Sequence, residues 1–229
     1  MARPIHLNPA TEVAERVLLP GDPQRALAVA QALLDSPRML NARRGLWGYT
    51  GQAPDGRPVT IQSTGMGGPS AAIVVEELIE LGARTFVRIG TCGALVAGIE
   101  LGALLAAEAA VPADGTSRAL GANGRVEADP GLTGALVDAG ATRATVVSTD
   151  LFYDPREAMH AGWVESGAQA IEMEAAAVLS VARRHGVRAA CLLAVTDQLA
   201  NGRVRMDQEA IEEIGVKLGE AALRALAKT

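Results

Sequence analysis

The stretch RVLLPGDPQR at residues 16–25 points to the kind of sheet that this chain builds. Residues 16–19 have the composition of a short strand, and the Gly- and Pro-containing residues 20–23 are typical of a tight turn. Arg25 follows the turn, so free backbone N–H groups and a guanidinium stand at the strand end. Ligands of open α/β sheets bind at the carboxyl ends of strands, so this stretch predicts an anion site there.

Other strand-like runs follow along the chain. They are nearly continuous in apolar residues, which is typical of a sheet covered on both faces. The predicted strands are residues 17–19, 59–62, 85–89, 104–111, 145–148 and 189–195. Helices are predicted over residues 71–81 and 169–185, and after an Asp207 cap. This alternation indicates a three-layer α/β fold, with the Gly-rich residues 114–134 as an excursion within it.

Residues 71–81 have the pattern of an amphipathic helix. Ser70 is expected to cap its start and Gly82 to end it. Its two faces are Val74, Leu78 and Leu81 on the buried side and Glu76, Glu77 and Glu80 on the exposed side. The pattern therefore predicts that these glutamates are solvated.

Composition limits the classes of function. Of the 229 residues 49% are hydrophobic, enough to bury a full core, so we expect one domain over residues 1–229. The net charge of −5, without a basic tract, argues against nucleic acid as the main partner. Cys92, Cys191 and the scattered histidines form neither a disulfide framework nor a metal pattern, so we expect no metal and no cofactor.

No targeting or membrane-spanning segment is evident in the sequence. Residues 1–6 lack the apolar core of a signal peptide. No apolar stretch reaches the ~18 residues of a membrane span. We therefore expect a cytoplasmic protein without a membrane partner.

Four predicted strands end in polar or glycine-rich residues, at the positions where an α/β sheet binds ligands. These ends are residues 20–25, 63–70, 90–93 and 196–197. Neither glycine-rich end fits the dinucleotide fingerprint G-x-G-x-x-G. The missing fingerprint speaks against a nonenzymatic nucleotide- or flavin-binding module, which is the alternative from another functional class.

Arg88 lies within an apolar strand, and a buried arginine is costly without an anion. Its partner is either an internal acid, such as Glu76 or Glu174, or a bound ligand. We favour the ligand because Thr91 adds a hydroxyl at the strand end. The pair Glu172 and Glu174 is also costly beside its Ala-rich run, since such carboxylates need partners.

Together these motifs resemble the nucleoside phosphorylase family, in its small-subunit, hexameric branch, over essentially the whole chain. The matching motifs, in order, are LPGDPQR at 19–25, RG at 44–45, GMGGPS at 65–70, RIGTCG at 88–93, DLFY at 150–153, EMEA at 172–175 and TD at 196–197. The resemblance implies a single-domain fold around a central mixed, partly barrel-like β-sheet flanked by helices. It also implies phosphorolysis of purine (deoxy)ribonucleosides to the free base and (deoxy)ribose 1-phosphate, with inorganic phosphate as co-substrate.

The resemblance implies a role for each matching position. Phosphate contacts would come from Gly21, Arg25, Arg88 and Thr91, joined by Arg44 of a neighbouring subunit. The ribose would be held by Met66, Met173 and Glu174, with His6 of the neighbour at the 5′-hydroxyl. The base would meet Cys92, Gly93, Phe152, Ile171, Glu172 and Asp197. Glu172 is left open between a base or ribose contact and a structural role. Such shared pockets imply a homo-oligomer, expected as a hexamer built from three dimers.

The chemistry of phosphorolysis agrees with these roles. The anionic nucleophile must be held on one face of a cationic, oxocarbenium-like sugar, which arginines achieve by charge and geometry. The leaving base must be neutralised, and Asp197 can donate the proton if its pKa lies above the free value of ~3.9. Arg88 and Asp197 are therefore the predicted catalytic residues.

Related activities are the nearest alternatives. A uridine phosphorylase reads uracil with Gln and Arg shortly after the stacking Phe, whereas here Arg156 stands in the place of the Gln, followed by Glu157 and Ala158. Nucleosidases use water in place of phosphate, and the retained arginines argue against them. A methylthioadenosine phosphorylase needs an apolar 5′ pocket, whereas His6 favours a free hydroxyl.

One departure from the family pattern concerns Asp197. Purine-specific members of this branch have a downstream arginine that assists the acid. Here Arg203 and Arg205 are candidates, but the spacing is not the usual one. The preference between 6-oxo and 6-amino purines is therefore left open.

Overall fold

Eleven strands of the described residues form one mixed sheet. The computed structural model describes residues 4–156, 159–200 and 202–229. Glu157 and Ala158, used in the comparison with uridine phosphorylases, lie outside the described residues. The strands are β1 (Arg16–Pro20), β2 (Asp35–Asn41), β3 (Gly48–Gln52), β4 (Pro58–Gln62), β5 (Thr85–Ala94), β6 (Leu104–Pro112), β7 (Val126–Glu127), β8 (Thr142–Ser148), β9 (Ala170–Glu172), β10 (Arg188–Gln198) and β11 (Val204–Arg205).

The middle of the sheet closes into a five-stranded barrel. Strand β10 pairs in parallel with β5 and antiparallel with β6, and β6, β8, β9 and β5 complete the ring. Strand β1 continues from β5, and β4, β3 and β2 extend the sheet beyond it. The predicted mixed, partly barrel-like sheet is confirmed. Because β1, β5 and β10 run parallel to one another, their carboxyl ends meet at one edge.

Helices cover both faces of this sheet. The helices of the described residues are α1 (Pro23–Leu33), α2 (Gly68–Glu80), α3 (Gly115–Ala119), α4 (Pro130–Asp138), α5 (Met159–Glu165), α6 (Ala175–His185) and α7 (Gln208–Ala227). None of them is both long and apolar enough to cross a membrane.

Two separate apolar cores lie on the two faces of the sheet. Along β10, Cys191 and Leu193 point into the core under α2 and α6, whereas Ala190 and Leu192 point into the core under α1, α4 and α7. Successive residues of a strand face opposite sides, so nearly continuous apolar runs are needed to fill both cores. The predicted three-layer arrangement is confirmed.

Two details predicted for helix α2 are wrong. The N-cap is Gly67, which has a φ of 87° that favours glycine, and the Ser70 hydroxyl instead donates to the Thr64 carbonyl at 2.5 Å. Glu77 is not solvated but 7% exposed, because residues 5–7 cross the helix and donate backbone N–H groups to its carboxylate.

The predicted helix over residues 169–185 is also wrong in its first part. Residues Ala170–Glu172 form strand β9, and helix α6 begins only at Ala175. Strand β9 exists because it pairs with both β5 and β8, which closes the barrel. The region over residues 114–134, interpreted from the sequence as an excursion within the domain, holds α3, β7 and the start of α4.

Candidate active site

A pocket of about 920 Å³ opens at the edge where β1, β5 and β10 end. Every predicted site residue except His6 lines it, namely Gly21, Arg25, Arg44, Met66, Arg88, Thr91, Cys92, Gly93, Phe152, Ile171, Glu172, Met173, Glu174 and Asp197. The topology explains this gathering, because the ends of neighbouring parallel strands and the segments after them converge at one edge.

Arg88 is held at the pocket wall by two carboxylates. It is 3% exposed, and its Nε donates to Glu172 Oε2 at 3.0 Å while its Nη2 pairs with Glu174. Its Nη1 is buried and has no hydrogen-bond partner among the described residues. Burial alone would lower the pKa of Arg88, but the two carboxylates outweigh it and hold that pKa above the usual value. Arg88 is therefore a fixed cation with one free donor.

Gly90 makes room for this guanidinium. A Cβ at this position would lie 2.8 Å from Arg88 Nη2 and 3.0 Å from Cζ. Of the two internal acids suggested from the sequence, Glu174 does pair with Arg88, whereas Glu76 pairs with His185 at 2.6 Å. Arg88 thus combines an ion pair to Glu174 with an Nη1 that has no partner among the described residues.

Arg25 brings a second cation to the same wall. Helix α1 begins behind Asp22, whose Oδ1 accepts the Gln24 N–H at 2.8 Å, and this cap fixes the first turn that carries Arg25. The side chain crosses helix α7 at Gly215, where an added Cβ would lie 3.2 Å from Arg25 Cγ. Burial lowers the pKa of Arg25; the Asp22 charge opposes that change and the Arg88 charge adds to it.

Arg25 and Arg88 place two positively charged groups at neighbouring positions at this end of the pocket. Arg25 forms no ion pair within the described part of the chain, and Arg88 acts on it as a like charge. Glu172 and Glu174 balance the charge of Arg88. Arg25 lacks such a partner in that part of the chain, so an anion beside it would offset the cost of its burial. This end of the pocket therefore suits a phosphate-sized anion, with bidentate guanidinium geometry.

Arg44 and His6 occupy different surroundings. Arg44 lies in the short 3₁₀ turn Arg43–Gly45, has a φ of 58° and lines the pocket of its own chain. His6 does not line that pocket; its Nδ1 lies 2.7 Å from Glu77 Oε1. A pocket contact of His6 therefore requires a second subunit.

The two glutamates of the EMEA motif have distinct tasks. Glu172 receives hydrogen bonds from the Ser148 hydroxyl, from Arg88, and from the backbone N–H groups of Glu174 and Ala175. Both of its carboxylate oxygens are engaged within the protein, which favours the structural role over the base contact assigned to it.

Glu174 faces the cavity with fewer partners. Its Oε1 accepts the Gly67 N–H at 2.5 Å, and its other oxygen pairs with Arg88. Burial raises the pKa of Glu174, and the neighbouring Glu172 charge contributes to this rise against the opposing Arg88. The charged carboxylate lacks solvation, which ligand hydroxyls would supply.

Asp197 marks the opposite end of the pocket. It is 8% exposed, and its Oδ1 accepts from Arg203 Nε at 3.0 Å and Nη2 at 2.9 Å. The Arg203 Cζ lies 5.1 Å from the centre of the Phe152 ring, so one guanidinium touches both the acid and the aromatic wall. Of the two downstream arginines suggested from the sequence, Arg203 is the one whose side chain reaches the acid.

The chain's family follows from comparison with known proteins. Residues 15–229 match the family described as the phosphorylase superfamily. The chain belongs to the phosphorylase superfamily. This is the wider group that contains the nucleoside phosphorylases suggested by the sequence motifs.

Individual relatives within the superfamily are also similar over most of their length. A purine nucleoside phosphorylase DeoD-type from Jannaschia sp. (strain CCS1) is 39% identical over 85% of this chain and 87% of that protein. The one from Geobacillus kaustophilus (strain HTA426) is 35% identical over 90% of both chains. A guanosine phosphorylase from Halorubrum lacusprofundi is 38% identical over 83% of this chain and 81% of that protein.

Some residues around this phosphorylase-superfamily pocket had no predicted role. Thr149, Tyr153, His160 and Leu199 line it, and Ser148 binds the supporting Glu172. Ser148 and Thr149 stand at the end of predicted strand 145–148, so the strand-end rule applied to the other strands was a signal that would have found them. His160 and Leu199 had no comparable signal in the sequence. His160 lies in helix α5 and Leu199 follows the end of β10, and only the tertiary structure brings both side chains to the pocket.

Proposed function

We propose that this chain is a purine nucleoside phosphorylase. It cleaves the N-glycosidic bond of purine ribo- or deoxyribonucleosides with inorganic phosphate, and it releases the free purine and the pentose 1-phosphate. The observation that carries the proposal is that Arg25, which has no ion pair among the described residues, and the unpartnered Nη1 of Arg88 line the same pocket as the acid Asp197. The named activities of the relatives agree with it.

The first half of the reaction uses the cationic end of the pocket. Phosphate binds between Arg25 and the free Nη1 of Arg88, beside the turn at Gly21 and the hydroxyl of Thr91. Glu174 accepts hydrogen bonds from the ribose hydroxyls and, with the phosphate, favours positive charge on the sugar. A phosphate oxygen bonds to C1′ as the C1′–N9 bond breaks, and the electron pair of that bond leaves with the base.

The second half of the reaction uses the acidic end. Protonated Asp197 gives its proton to N7 of the departing purine, which neutralises the base. Arg203 then stabilises the carboxylate that forms, because its two N–H groups already point at Asp197 Oδ1. Phe152 provides the aromatic face of the base site.

A purine substrate is favoured over uracil by the position of Arg156. Its guanidinium pairs with Asp154 at 2.6 Å, and it is not among the described residues that line the pocket. The position of the uracil-reading Gln is therefore held by an arginine that pairs with Asp154, whereas Asp197 lines the pocket as an acid that suits a purine N7.

Arg25→Met tests this function together with the phosphate site. The wild-type enzyme is expected to cleave inosine, guanosine or adenosine only when phosphate is present, and uridine poorly. Loss of charge-assisted hydrogen bonds worth about 1.5–3 kcal/mol should raise the KM for phosphate roughly 10- to 150-fold in the variant. Its midpoint of urea unfolding should not fall, because Arg25 has no ion pair to lose among the residues that the structure describes.

Initial rates against phosphate concentration, with the exposed Arg224→Met as matched control, provide the measurement. Cleavage of purine nucleosides without phosphate would contradict phosphorolysis. An unchanged KM for phosphate in Arg25→Met would remove Arg25 from the phosphate site.

We also propose a homo-oligomer with shared pockets, expected as a hexamer built from three dimers. His6 is not among the described residues that line the pocket, and large apolar side chains stand exposed near the N-terminus and on the pocket wall, among them Ile5, Met66 and Tyr153. Exposed large apolar side chains of this kind are typical of interaction surfaces. A cytoplasmic location and the absence of a cofactor stay predictions.

Co-expression of two inactive variants tests the shared pocket. Subunits with Arg44→Ala and subunits with Asp197→Ala should each form inactive homo-oligomers. In a mixed dimer with isologous symmetry, one pocket combines both defects and the other is intact, so part of the activity should return. Two differently tagged subunits, purified through both tags, allow the assay. Mixed oligomers without recovered activity would mean that Arg44 serves the pocket of its own chain.

A further inference from the structure

A single carboxylate on helix α2 holds the N-terminal segment in place. Glu77 accepts the backbone N–H of Ile5 at 3.0 Å, of His6 at 2.9 Å and of Leu7 at 2.7 Å. The same carboxylate also receives the His6 ring, with Nδ1 2.7 Å from Oε1. Three successive backbone donors and one ring thus converge on one acid.

The surroundings show that this contact is built into the fold. Leu7 is buried in the apolar core under α2, and the Asn8 N–H donates to Asn41 Oδ1 at 3.0 Å. Burial would raise the pKa of Glu77, but the hydrogen bonds from residues 5–7 outweigh it and lower that pKa. The acid is therefore charged at neutral pH and fixed on a rigid helix.

The fixed carboxylate determines which nitrogen of the His6 ring carries the proton and which one can accept a hydrogen bond. An imidazole nitrogen beside a carboxylate carries the proton, so Nδ1 of His6 is the donor and Nε2 keeps its lone pair in the neutral ring. The His6 side chain is 27% exposed and stands outside its own pocket. Its Nε2, for which no partner occurs among residues 4–156, 159–200 and 202–229, is thus an oriented hydrogen-bond acceptor at a partly exposed position beside the N-terminus.

We propose that Glu77 is a positioning residue that acts through His6. By fixing the tautomer and the orientation of the ring, it presents Nε2 to the primary 5′-hydroxyl of a nucleoside in the adjoining subunit's pocket. The inference rests on the proposed function and its shared pocket. Glu77 thereby sets the preference for nucleosides with a 5′-hydroxyl donor over those with hydrogen or an alkylthio group at that carbon.

Glu77→Gln tests the proposal through substrate discrimination. The ratio of kcat/KM for inosine to that for 5′-deoxyinosine is compared with the wild-type ratio. The Gln side chain keeps one neutral oxygen and replaces the other with an NH₂ donor, so one oxygen must serve the backbone N–H groups and Nδ1–H, and the ring is held less firmly. This ratio should therefore fall roughly three- to tenfold, the size of one neutral hydrogen bond. Glu76→Gln is the matched control, since Glu76 is the preceding residue of α2 and pairs with a different histidine, His185. It should keep the wild-type ratio.

Glu77→Gln could detach the N-terminal segment from helix α2, so His6→Asn provides a second test. In this variant Glu77 still binds the backbone N–H groups of residues 5–7. The side-chain amide of the asparagine can still donate to Glu77 but presents nothing where Nε2 stood, so the ratio should again fall. Adding Glu77→Gln to His6→Asn should cause no further fall, because the carboxylate acts through the ring.

The outcomes separate the inference from the function on which it rests. If the wild type cleaves inosine with phosphate but does not discriminate against 5′-deoxyinosine, the inference is wrong and the function stands. The inference is also wrong if Glu77→Gln lowers both kcat/KM values equally. If the wild type does not cleave nucleosides with phosphate, the proposed function itself is wrong.

Discussion

Asp197→Asn should lower purine nucleoside cleavage roughly 10²- to 10⁴-fold, the range expected when a general acid is lost. The amide keeps the shape of the side chain and accepts from Arg203, but it has no proton to transfer to N7. The loss should be larger for adenosine than for inosine, because an amide can still donate a hydrogen bond to a 6-oxo purine.

Single-turnover rates with saturating phosphate measure this effect on the chemical step. Asp138→Asn is the matched control, since Asp138 is an exposed acid paired with Lys228 at 3.0 Å, outside the pocket. Equal and small losses on all substrates would show that another group protonates the base.

Arg88→Ala should cost about 3–5 kcal/mol of unfolding free energy, in addition to weakening phosphate binding. The reason is that Glu172 and Glu174 would remain buried without their shared cation. Urea unfolding measures the loss, and Arg25→Met is the matched comparison, because it removes a cation from the same wall without stranding a carboxylate.

The difference in unfolding free energy between the wild type and Arg88→Ala should become smaller as the pH falls. Burial raises the pKa of Glu174 even with Arg88 present, and removal of the guanidinium takes away the charge that opposes this rise, so the folded-state pKa of Glu174 lies further above that of the unfolded chain. Groups of that kind stabilise the folded state at pH values below the unfolded pKa and lose this contribution as the pH rises. A variant that unfolds at the wild-type urea concentration would show that the acids do not depend on Arg88.

Much of the fold followed from local patterns. The predicted strands fall within β1, β4, β5, β6, β8 and β10, because strands that fill two cores must be apolar over most of their length. Strands β2, β3, β7, β9 and β11 escaped prediction because they are short or polar and are defined by the partners that they meet. The three residues of β9 have no pattern of their own, yet they complete the barrel.

The sequence by itself determined which residues gather at the pocket. Strand ends rich in glycine, arginine and acids converge whenever parallel strands share an edge, so Arg25, Arg88 and Asp197 had to lie near one another. The motifs also carried the resemblance to nucleoside phosphorylases without any knowledge of distances.

Only the tertiary structure decided how these groups are paired. The helical pattern predicted a solvated Glu77, but the pattern describes one helix and contains no information on the segment that crosses it. Arg203 reaches Asp197 through the turn into β11, and Glu172 is engaged by groups from β5, β8 and α6. A hydrogen bond requires its donor and acceptor to lie about 3 Å apart, within a few tenths of an ångström. For residues far apart in the chain, only tertiary packing sets that distance.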